Sequence, residues 1–507
     1  MKKILIILEL VLFCLPSFAR DSIRETFKNN AAIIYTVNIR NFASVDKDLD
    51  GLINTEKGDI KGTFLGAINK LDELKKDGIN TIYLLPITPS GKLKALGTKG
   101  SLYALDSFEK LNPELDDLSD KRSVIEEARE FVQKAHALDM NVIVDLPGCA
   151  SYDLSLRKPD WFERNSKGES QIVADWTDVR QLKIDENLIE NTKKFVDMMQ
   201  DIGFDGIRAD VAAIKTPEFW REIIDYAREK NPDFLFLAEA SPDWSNPSPK
   251  TIEHYSTIEE LLDAGFDSYY GSWSDFKNIK TKEEFDNRLE KNLKILKKYK
   301  NSSIISALAT HDQRAPILRG KNYWNMVLWL CTTLPQNTYF LDGFSVADDY
   351  IYPYENKKAL NSSTDDEEYF VHNGQFDIFN ATGPIRKKHP KYKQNYIKAI
   401  NFKKKYQNLI TNGELKLLKT NNDKVFAYSI IDDKYELIVL GSFDEKENQN
   451  AQIKSAYIKS EYLISQYSGL NHPKINKEIM EVQLSPLEIQ VYIFTKVDSI
   501  NQEVHQE

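Results

Sequence analysis

The stretch FDGIRADVA (residues 204–212) has the pattern of a buried β-strand that carries two charges. Ile207, Ala209 and Val211 are apolar, whereas Arg208 and Asp210 stand between them. Burying a charge is costly unless the charge is paired or put to use. Side chains two residues apart on a strand point to the same side, so we expect Arg208 and Asp210 to meet. A cation in that position favours the ionised form of the carboxyl group.

Other apolar runs of similar length occur along the chain, and helical patterns separate them. Most of these runs are near-continuous, as in parallel strands that are covered on both faces. Eight strands that alternate with eight helices predict an α/β fold, the (β/α)8 TIM barrel. The predicted strands are 32–40, 81–87, 141–146, 206–211, 234–240, 266–271, 304–312 and 337–344. The predicted helices lie near 65–78, 121–138, 185–202, 216–230, 255–263, 281–300, 321–334 and 388–408.

The chain divides into a large and a small domain. We predict that 20–411 form the barrel, with a short lid-like excursion at 148–179 after the third strand. From about residue 412 the pattern changes to short alternating runs such as KVFAYSII, YELIVLGSF and IQVYIFT. These runs predict a C-terminal antiparallel β-sandwich domain over 412–496. The remaining residues, 497–507, form a polar tail.

The N-terminus has the pattern of a secretory signal peptide. Lys2 and Lys3 precede an apolar run, and Ser17-Phe18-Ala19 offers a cleavage site of small residues. We therefore predict a signal peptide at 1–19 and a secreted or periplasmic protein. A membrane anchor would need a longer apolar span. Cys14 leaves a lipoprotein as an alternative, although the preceding Phe13 is too bulky for the usual lipobox.

Composition and charge narrow the class of protein. The chain has 507 residues, a formal net charge of -10 and no basic stripe interleaved with aromatic residues, which argues against nucleic acid as a partner. We expect no membrane span in the mature chain, and the sequence leaves the oligomeric state open. Of three cysteines, Cys149 and Cys331 remain after cleavage. Two thiols do not make a disulfide framework. They could pair if they meet in space, but we expect both to be buried and free.

Ionisable residues occur near the ends of several predicted strands. They are Asp145 on the third strand, Asp210 on the fourth, Glu239 on the fifth and His311-Asp312 on the seventh. In a barrel of this kind the carboxyl ends of the strands share one rim, where chemistry collects. Carboxylates around one site suit glycosidic bond cleavage, because one can attack the anomeric carbon while a protonated second one donates to the leaving oxygen.

Several segments resemble the α-amylase family, glycoside hydrolase family 13. GFDGIRADVA followed by PEFW is similar to the family's second conserved region, FLAEAS to the third and ALATHDQ to the fourth. IYTVNIRNF is similar to its first barrel strand, and SLYALDSFEKLNPELDD to its loop after the second strand. The resemblance implies a retaining enzyme that forms a covalent glycosyl-enzyme intermediate, needs no organic cofactor and has a β-sandwich after the barrel.

The same resemblance implies roles for individual residues. Asp210 would be the nucleophile, Glu239 the general acid/base and Asp312 a third carboxylate that holds substrate hydroxyls. The residues that would line the same sugar subsite are Arg208, His311, Asp145 and Tyr103, the last as an aromatic platform.

The chain also departs from the family's pattern. Cys149 and Ala150 stand where the first region normally has Asn and His, of which the Asn often binds calcium. Thr310 replaces a common Asn, and Ala213-Ile214 replace the Lys-His of many amylases. These changes spare the three carboxylates, but they put the usual substrate and the usual calcium site in doubt.

A separate acidic loop predicts a calcium site. Asp46, Asp48 and Asp50 offer oxygen ligands at alternate positions, and Gly51 allows the turn. The Leu52 carbonyl, with Glu56 or Asp59, would complete the ligands. Position twelve of such a loop is normally Glu but is Lys57 here. A plain acidic surface turn is the alternative.

Three functions remain open at this point. The leading interpretation is an exported retaining α-glycosidase that cleaves α-glucosidic bonds in malto-oligosaccharides or related α-glucans. A transglycosylase would use the same residues with a sugar as the acceptor. A non-catalytic glycan-binding protein on an amylase-like barrel is the alternative outside the enzymes.

Overall fold

The computed structural model describes residues 21–119, 121–174, 176–247, 251–349, 378–383, 389–455, 457–458 and 463–495. The predicted signal peptide (1–19) and polar tail (497–507) lie outside the described residues. In the described part of the chain, none of the helices combines the length and apolar character that crossing a bilayer requires.

Eight parallel strands form the predicted barrel. They are β1 (Ile33–Val37), β2 (Thr81–Leu84), β3 (Asn141–Leu146), β4 (Gly206–Ala209), β5 (Leu235–Ala238), β6 (Ser268–Tyr269), β7 (Ser303–Ile304) and β8 (Thr338–Leu341). Their order in the sheet is β8-β1-β2-β3-β4-β5-β6-β7. A parallel bridge between Ile305 and Asn337 joins the two edges and closes the barrel. The TIM-barrel prediction is therefore confirmed.

Helices lie between the strands. Their bounds are Ile23–Lys28, Ile39–Phe42, Phe64–Ile68, Leu71–Asp77, Val124–Ala137, Tyr152–Arg157, Glu186–Ile202, Pro217–Lys230, Ile258–Asp263, Lys282–Lys298, Lys321–Thr333, Pro390–Lys405 and Gln407–Asn412. The helix predicted near 65–78 is two helices. The Lys70 N–H bonds to the Ala67 carbonyl, three residues back, which interrupts the i→i−4 ladder.

The helix Val124–Ala137 shows why these segments fold as they do. Ser123 and Glu126 form a reciprocal capping box that satisfies free N–H groups at its start. Ala128, Phe131 and Ala135 are buried on one face, with the helical spacing that the sequence predicts. This face packs toward the barrel, and the polar face is left to solvent.

Seven of the eight barrel strands are shorter than the apolar runs that predicted them, and β3 alone has its predicted bounds. Three of the shorter strands bear on the site. Strand β4 ends at Ala209, so Asp210 lies just beyond it. Strands β6 and β7 have two residues each. After β7 the N–H of Ala307 bonds to the Ile305 carbonyl, and local bonding of this kind turns the chain out of the sheet. The apolar residues after each strand therefore belong to the rim.

The excursion after β3 has a small ribbon at its base. Ala150–Ser151 pairs antiparallel with Val179–Arg180, and the helix Tyr152–Arg157 follows the first of these strands. A separate apolar cluster lies here, made of Ala104, Cys149, Val173, Val179, Ile214 and Ile252. Both Cys149 and Cys331 are buried and free, as expected.

The C-terminal strands form two antiparallel sheets. They are β9 (Glu414–Leu417), β10 (Val425–Ile431), β11 (Tyr435–Ser442), β12 (Gln449–Lys454), β13 (Leu463–Ser468), β14 (Lys474–Asn476), β15 (Ile479–Leu484) and β16 (Ile489–Thr495). One sheet has the order β9-β10-β11-β16-β13 and the other β12-β15-β14. Ile438 and Leu440 of the larger sheet share a core with Ile453 and Met480 of the smaller one, which confirms the predicted sandwich.

Aromatic rings join the sandwich to the barrel. Phe285, on the helix Lys282–Lys298, stacks on Phe426 of β10 with ring centroids 4.3 Å apart. Phe443 packs against both rings. All three side chains are buried, so removing one of them leaves a cavity at the junction.

We expect Phe426→Ala to lower the free energy of unfolding by about 3–5 kcal/mol, because the ring loses its burial and a cavity remains. Urea denaturation followed by tryptophan fluorescence measures the change. Leu470→Ala is the control, since Leu470 is exposed and should change stability by less than about 0.5 kcal/mol. Equal stability of the two variants would contradict the proposed importance of this junction.

Candidate active site

The guanidinium of Arg208 lies at the centre of a charged cluster beyond the barrel strands. Its Nη1 donates to both oxygens of Asp145, at 2.8 and 2.9 Å, and to Oδ1 of Asp210 at 2.9 Å. Its Nη2 lies 2.6 Å from Oε1 of Glu239. Its Nε donates to the hydroxyl of Tyr270 at 3.1 Å. This fully buried cation thus contacts Asp145 on β3, Asp210 just after β4 and Glu239 just after β5.

Asp145 is the most deeply buried of the three carboxyl groups that contact this cation. Its side chain is fully buried, and its Oδ2 also accepts hydrogen bonds from the hydroxyls of Tyr83 at 2.6 Å and Tyr103 at 2.8 Å. Burial raises the pKa of Asp145 to about 6, although Arg208 acts in the opposite direction. The sequence predicted a substrate contact, and the structure places Asp145 as the partner of Arg208 and two tyrosines.

Asp210 is held by two donors and remains partly open. Its Oδ1 accepts from Arg208, and its Oδ2 accepts from the N–H of Gly148 at 2.8 Å. The side chain is 13% exposed. The two hydrogen bonds orient the carboxylate, and the opening leaves it accessible to a substrate, as a nucleophile requires.

Glu239 has a different environment. Its Oε2 accepts a hydrogen bond from the N–H of Val211 at 2.7 Å. Burial raises the pKa of Glu239 well above its usual value, and the nearby charges of Asp210 and Asp312 add to the rise against the effect of Arg208. A carboxyl group with a raised pKa keeps its proton, which is what a general acid needs.

A strained turn after β4 brings Asp210 and Glu239 together. Val211 has a φ of 38°, which is rare for a β-branched residue. This conformation directs its N–H at the Glu239 side chain, and the next N–H, of Ala212, bonds to the Glu239 carbonyl at 3.2 Å. Backbone strain of this kind persists only where the surroundings enforce it, and it concentrates at functional sites.

His311 and Tyr103 form one wall of the site. Their rings stack with centroids 5.6 Å apart and planes at 8°. The Tyr103 hydroxyl donates to Asp145 and lies 2.9 Å from Nε2 of His311, so the imidazole Nε2–H donates to it. Burial lowers the pKa of His311 to about 3, with Arg208 as the second cause. His311 is therefore a neutral hydrogen-bonding group at ordinary pH.

Asp312 lies at the mouth of the site. Its side chain is 42% exposed, and its Oδ1 is 3.4 Å from Nε2 of His311. A cavity of about 240 Å³ opens between this residue and Glu239. Other residues that line it include Trp244, Tyr270, Asp275 and Gln313. The structure therefore brings all seven predicted catalytic and sugar-site residues to one rim, with Asp145 deepest and Asp312 outermost.

The sequence interpretation missed four groups at this site. The hydroxyls of Tyr83 and Tyr270 hold Asp145 and Arg208, but nothing in an apolar strand shows where a tyrosine hydroxyl points. Gly148 donates its N–H to Asp210. Lys215 donates from Nζ to the Gly148 carbonyl at 2.6 Å. A single charge at the end of the apolar run VAAIK was the signal that could have indicated Lys215.

The acidic loop lies apart from this cluster. Oxygens of Asp46, Asp48 and Asp50 lie within 4.8 Å of one another, a donor set that suits calcium. Leu52 donates its N–H to Asp50 at 2.9 Å. The ammonium of Lys57 contacts Asp48 at 3.2 Å and Asp50 at 2.8 Å. The contact with Asp50 is the largest cause and that with Asp48 the next, and both raise the pKa of Lys57. The loop therefore already holds one positive charge of its own.

Comparisons with known proteins find similar sequences. A family model described as the catalytic domain of alpha amylase matches residues 34–198. The chain is 27% identical over 204 residues to an alpha-1,4-glucan:maltose-1-phosphate maltosyltransferase of Bifidobacterium animalis subsp. lactis, which is 36% of this chain and 27% of that protein. It is 24% identical over 265 residues to alpha-amylase 3 of Dictyoglomus thermophilum, which is 46% of each protein. The chain thus spans less than half the length of these curated relatives.

Solved structures share the fold over nearly the whole chain. A maltogenic alpha-amylase from Thermotoga neapolitana has a TM-score of 0.66 at 18% identity, over 92% of this chain and 99% of that chain. A debranching enzyme from Nostoc punctiforme has a TM-score of 0.65 at 17% identity, over 93% and 99%. Together with the family model, these findings confirm the resemblance of the chain to the α-amylase family of glycoside hydrolases.

Proposed function

We propose that the protein is a retaining α-glycosidase that cleaves α-glucosidic bonds in malto-oligosaccharides or related α-glucans. The observation that carries the proposal is the pair of carboxylates on one guanidinium, with Asp210 at 2.9 Å and Glu239 at 2.6 Å. Contacts with neighbouring nitrogens of one group keep the two carboxyl groups close. This closeness favours the ~5 Å spacing of retaining enzymes over the wider spacing of inverting ones.

The two residues divide the chemistry. Asp210 attacks the anomeric carbon, the bond to the leaving oxygen breaks, and Glu239 transfers its proton to that oxygen. Glu239, now ionised, then takes a proton from a water molecule that displaces Asp210 and restores the anomeric configuration. Asp312 is exposed at the mouth, where it can accept hydrogen bonds from sugar hydroxyls.

A transglycosylase is the second candidate, because the first of the relatives above is a maltosyltransferase. It would use Asp210 and Glu239 in the same way, with a sugar hydroxyl in place of water. The size of the products distinguishes the two activities. A non-catalytic glycan-binding protein would not need a carboxyl with a raised pKa beside an oriented, partly open carboxylate, and the cluster argues against it.

Export is part of the proposal. It rests on Lys2 and Lys3, the apolar run after them and the small residues before position 20. An extracellular or periplasmic enzyme would meet α-glucans before they enter the cell. N-terminal sequencing of the protein from a secreting host tests this point, and an N-terminus at position 20 is the expected result.

The Asp210→Asn variant tests the nucleophile. Residues 20–507 should release smaller sugars from malto-oligosaccharides with retained anomeric configuration, as followed by mass spectrometry and NMR. Asp210→Asn should lower kcat at least about 1,000-fold, since the amide does not form the covalent intermediate. Asp139→Asn is the matched control, because Asp139 is exposed and precedes the start of β3, at the other end of that strand from Asp145. Equal turnover by wild type and Asp210→Asn would refute the assignment.

The Glu239→Gln variant tests the general acid. The raised pKa of Glu239 keeps it protonated as the pH rises, so wild-type activity should persist above the usual range of a glutamate and fall only when that proton leaves. Glu239→Gln should lose about 100-fold or more of kcat/KM on maltotriose but much less of kcat/KM on an α-glucosyl fluoride, because kcat/KM reports the first step and the fluoride leaving group needs no proton there. The pH profile of Glu239→Gln on the fluoride should lack the fall in activity at alkaline pH.

Two controls accompany the Glu239 experiment. Azide should rescue Glu239→Gln by forming a glycosyl azide, because azide attacks the intermediate without a general base. Glu218→Gln, at an exposed position at the start of the helix Pro217–Lys230, should match wild type on both substrates. An equal loss of kcat/KM on both substrates in Glu239→Gln would contradict its role as the proton donor of the first step.

We also propose that the acidic loop binds calcium, with Asp46, Asp48, Asp50 and the Leu52 carbonyl as ligands. The clustered carboxylates support this proposal, and Lys57 opposes it, because its ammonium contacts two of them. Calcium binding therefore requires Lys57 to move away, and the affinity should be lower than that of a loop with Glu at this position.

Calcium should raise the Tm of the wild-type protein slightly and that of Lys57→Glu more, because the substitution removes the competing cation and adds a carboxylate. Differential scanning calorimetry in calcium and in chelator measures both shifts. The double variant Lys57→Glu/Asp48→Asn, which lacks one ligand, should lose part of the response. If calcium left the Tm of wild type and Lys57→Glu unchanged, the loop would be an acidic surface turn.

A further inference from the structure

Gly148 connects Asp210 to a buried lysine. Its N–H donates to Oδ2 of Asp210 at 2.8 Å, and its carbonyl accepts from Nζ of Lys215 at 2.6 Å. No larger residue fits, since a Cβ atom here would lie 2.4 Å from Cγ2 of Val211 and 2.6 Å from the carbonyl oxygen of Asp210. Gly148 is thus packed directly against the backbone of the proposed nucleophile, and any movement of it would move the donor to Asp210.

Lys215 is an unusual group to find here. Its side chain is buried beside Cys149, whose neighbours form the apolar cluster at the base of the excursion. Burial lowers the pKa of Lys215, while Cys149 and Asp210 act in the opposite direction. The ion pairs of the described residues do not include Lys215. A buried ammonium that takes part in none of these ion pairs costs stability. The mechanism proposed above gives Lys215 no role.

The backbone around Lys215 is also fixed. Its carbonyl accepts a hydrogen bond from the Ser256 hydroxyl at 2.7 Å, and the N–H of Ser256 bonds to the Ala213 carbonyl at 2.8 Å. Lys215 therefore projects from an anchored segment, and its ammonium can hold Gly148 in one place.

We propose that Lys215 is a positioning residue that acts on the nucleophile through Gly148. Its ammonium fixes the Gly148 carbonyl, so that the N–H of the same residue holds Asp210 in the attacking orientation. Asp210 in turn favours the charged form of Lys215. This inference rests on the proposed function of Asp210. It gives a function to the segment that contains Cys149 and Ala150, the two positions that differ from the family's pattern.

The charge around Asp210 comes from several elements, and any pH effect must be interpreted against all of them. The titratable and charged groups that face Asp210 are Arg208, Asp145, Glu239, His311, Tyr103, Cys149 and Lys215. Arg208 and Lys215 are the two strongly basic side chains among these groups. Removing Lys215 therefore leaves Arg208 to balance Asp145 and Asp210 alone.

Kinetics of Lys215→Met test the proposal. We expect kcat to fall about 10- to 100-fold, as for a catalytic group that is slightly misplaced, with KM changed less than threefold. The acidic limb of kcat/KM should move to higher pH, because losing a nearby cation favours the protonated carboxyl group. Lys215→Arg should recover part of both losses. Lys215→Gln keeps a donor without the charge, so it should keep more of kcat than Lys215→Met while showing the shifted limb.

Lys403→Met is the matched control. Lys403 is also a fully buried lysine, and it donates to the carbonyls of Leu334 and Gln336 before β8, at the opposite end of the barrel. It should change the Tm but not the pH profile. If Lys215→Met had the kinetics and profile of wild type, or if Lys403→Met showed the same shift, the proposal would be overturned. Failure of both Lys215→Met and Lys215→Gln to fold would show a structural role and would also overturn it.

Hydrogen exchange gives a readout that does not depend on turnover. Amides in the segment 146–151 should exchange faster in Lys215→Met than in wild type and should be unchanged in Lys403→Met. Absence of activity in the wild-type protein would refute the proposed function. The exchange measurement would still decide whether Lys215 holds Gly148, so the two failures are distinguishable.

Discussion

The site depends on the contacts that the buried guanidinium of Arg208 makes with its neighbours. A fully buried cation is tolerated only when charges and hydrogen bonds surround it, and here Asp145, Asp210 and Glu239 do so. These partners come from three consecutive barrel strands or the residues after them. The cation therefore requires the strands to be in register at the rim, and a folded barrel is the condition for its stability.

One cation serves two carboxylates that behave differently, because their other contacts differ. Asp210 has two donors to its side chain and some exposure, whereas Glu239 has one backbone donor, deeper burial and a raised pKa. The proposed nucleophile and the proposed acid are thus distinguished by environment and not by residue type. The strained turn at Val211 supplies the Glu239 donor, so the strain has a direct chemical use.

The sequence predicted the barrel well because each strand was a run of buried apolar residues between helical patterns. It predicted the strand ends poorly. The apolar residues after Ile304 and after Tyr269 fill the rim instead of the sheet, and an apolar residue looks the same in either place. Site residues with a charge inside a strand, such as Arg208, were predictable. The part played by Gly148 was not, because a backbone N–H leaves no mark in the sequence.

The departures from the family's pattern at Cys149 and Ala150 are explained by the packing of the segment after β3. Cys149 packs in the apolar cluster and Ala150 pairs in the ribbon, so both serve packing where the family has polar side chains. A polar side chain reaches this turn instead from the segment after β4, where Lys215 donates to the Gly148 carbonyl. The base of the excursion and the nucleophile therefore share Gly148 as a common contact. Any change in the excursion that shifts this turn must also shift Asp210, which ties the shape of the proposed sugar site to the orientation of the proposed nucleophile.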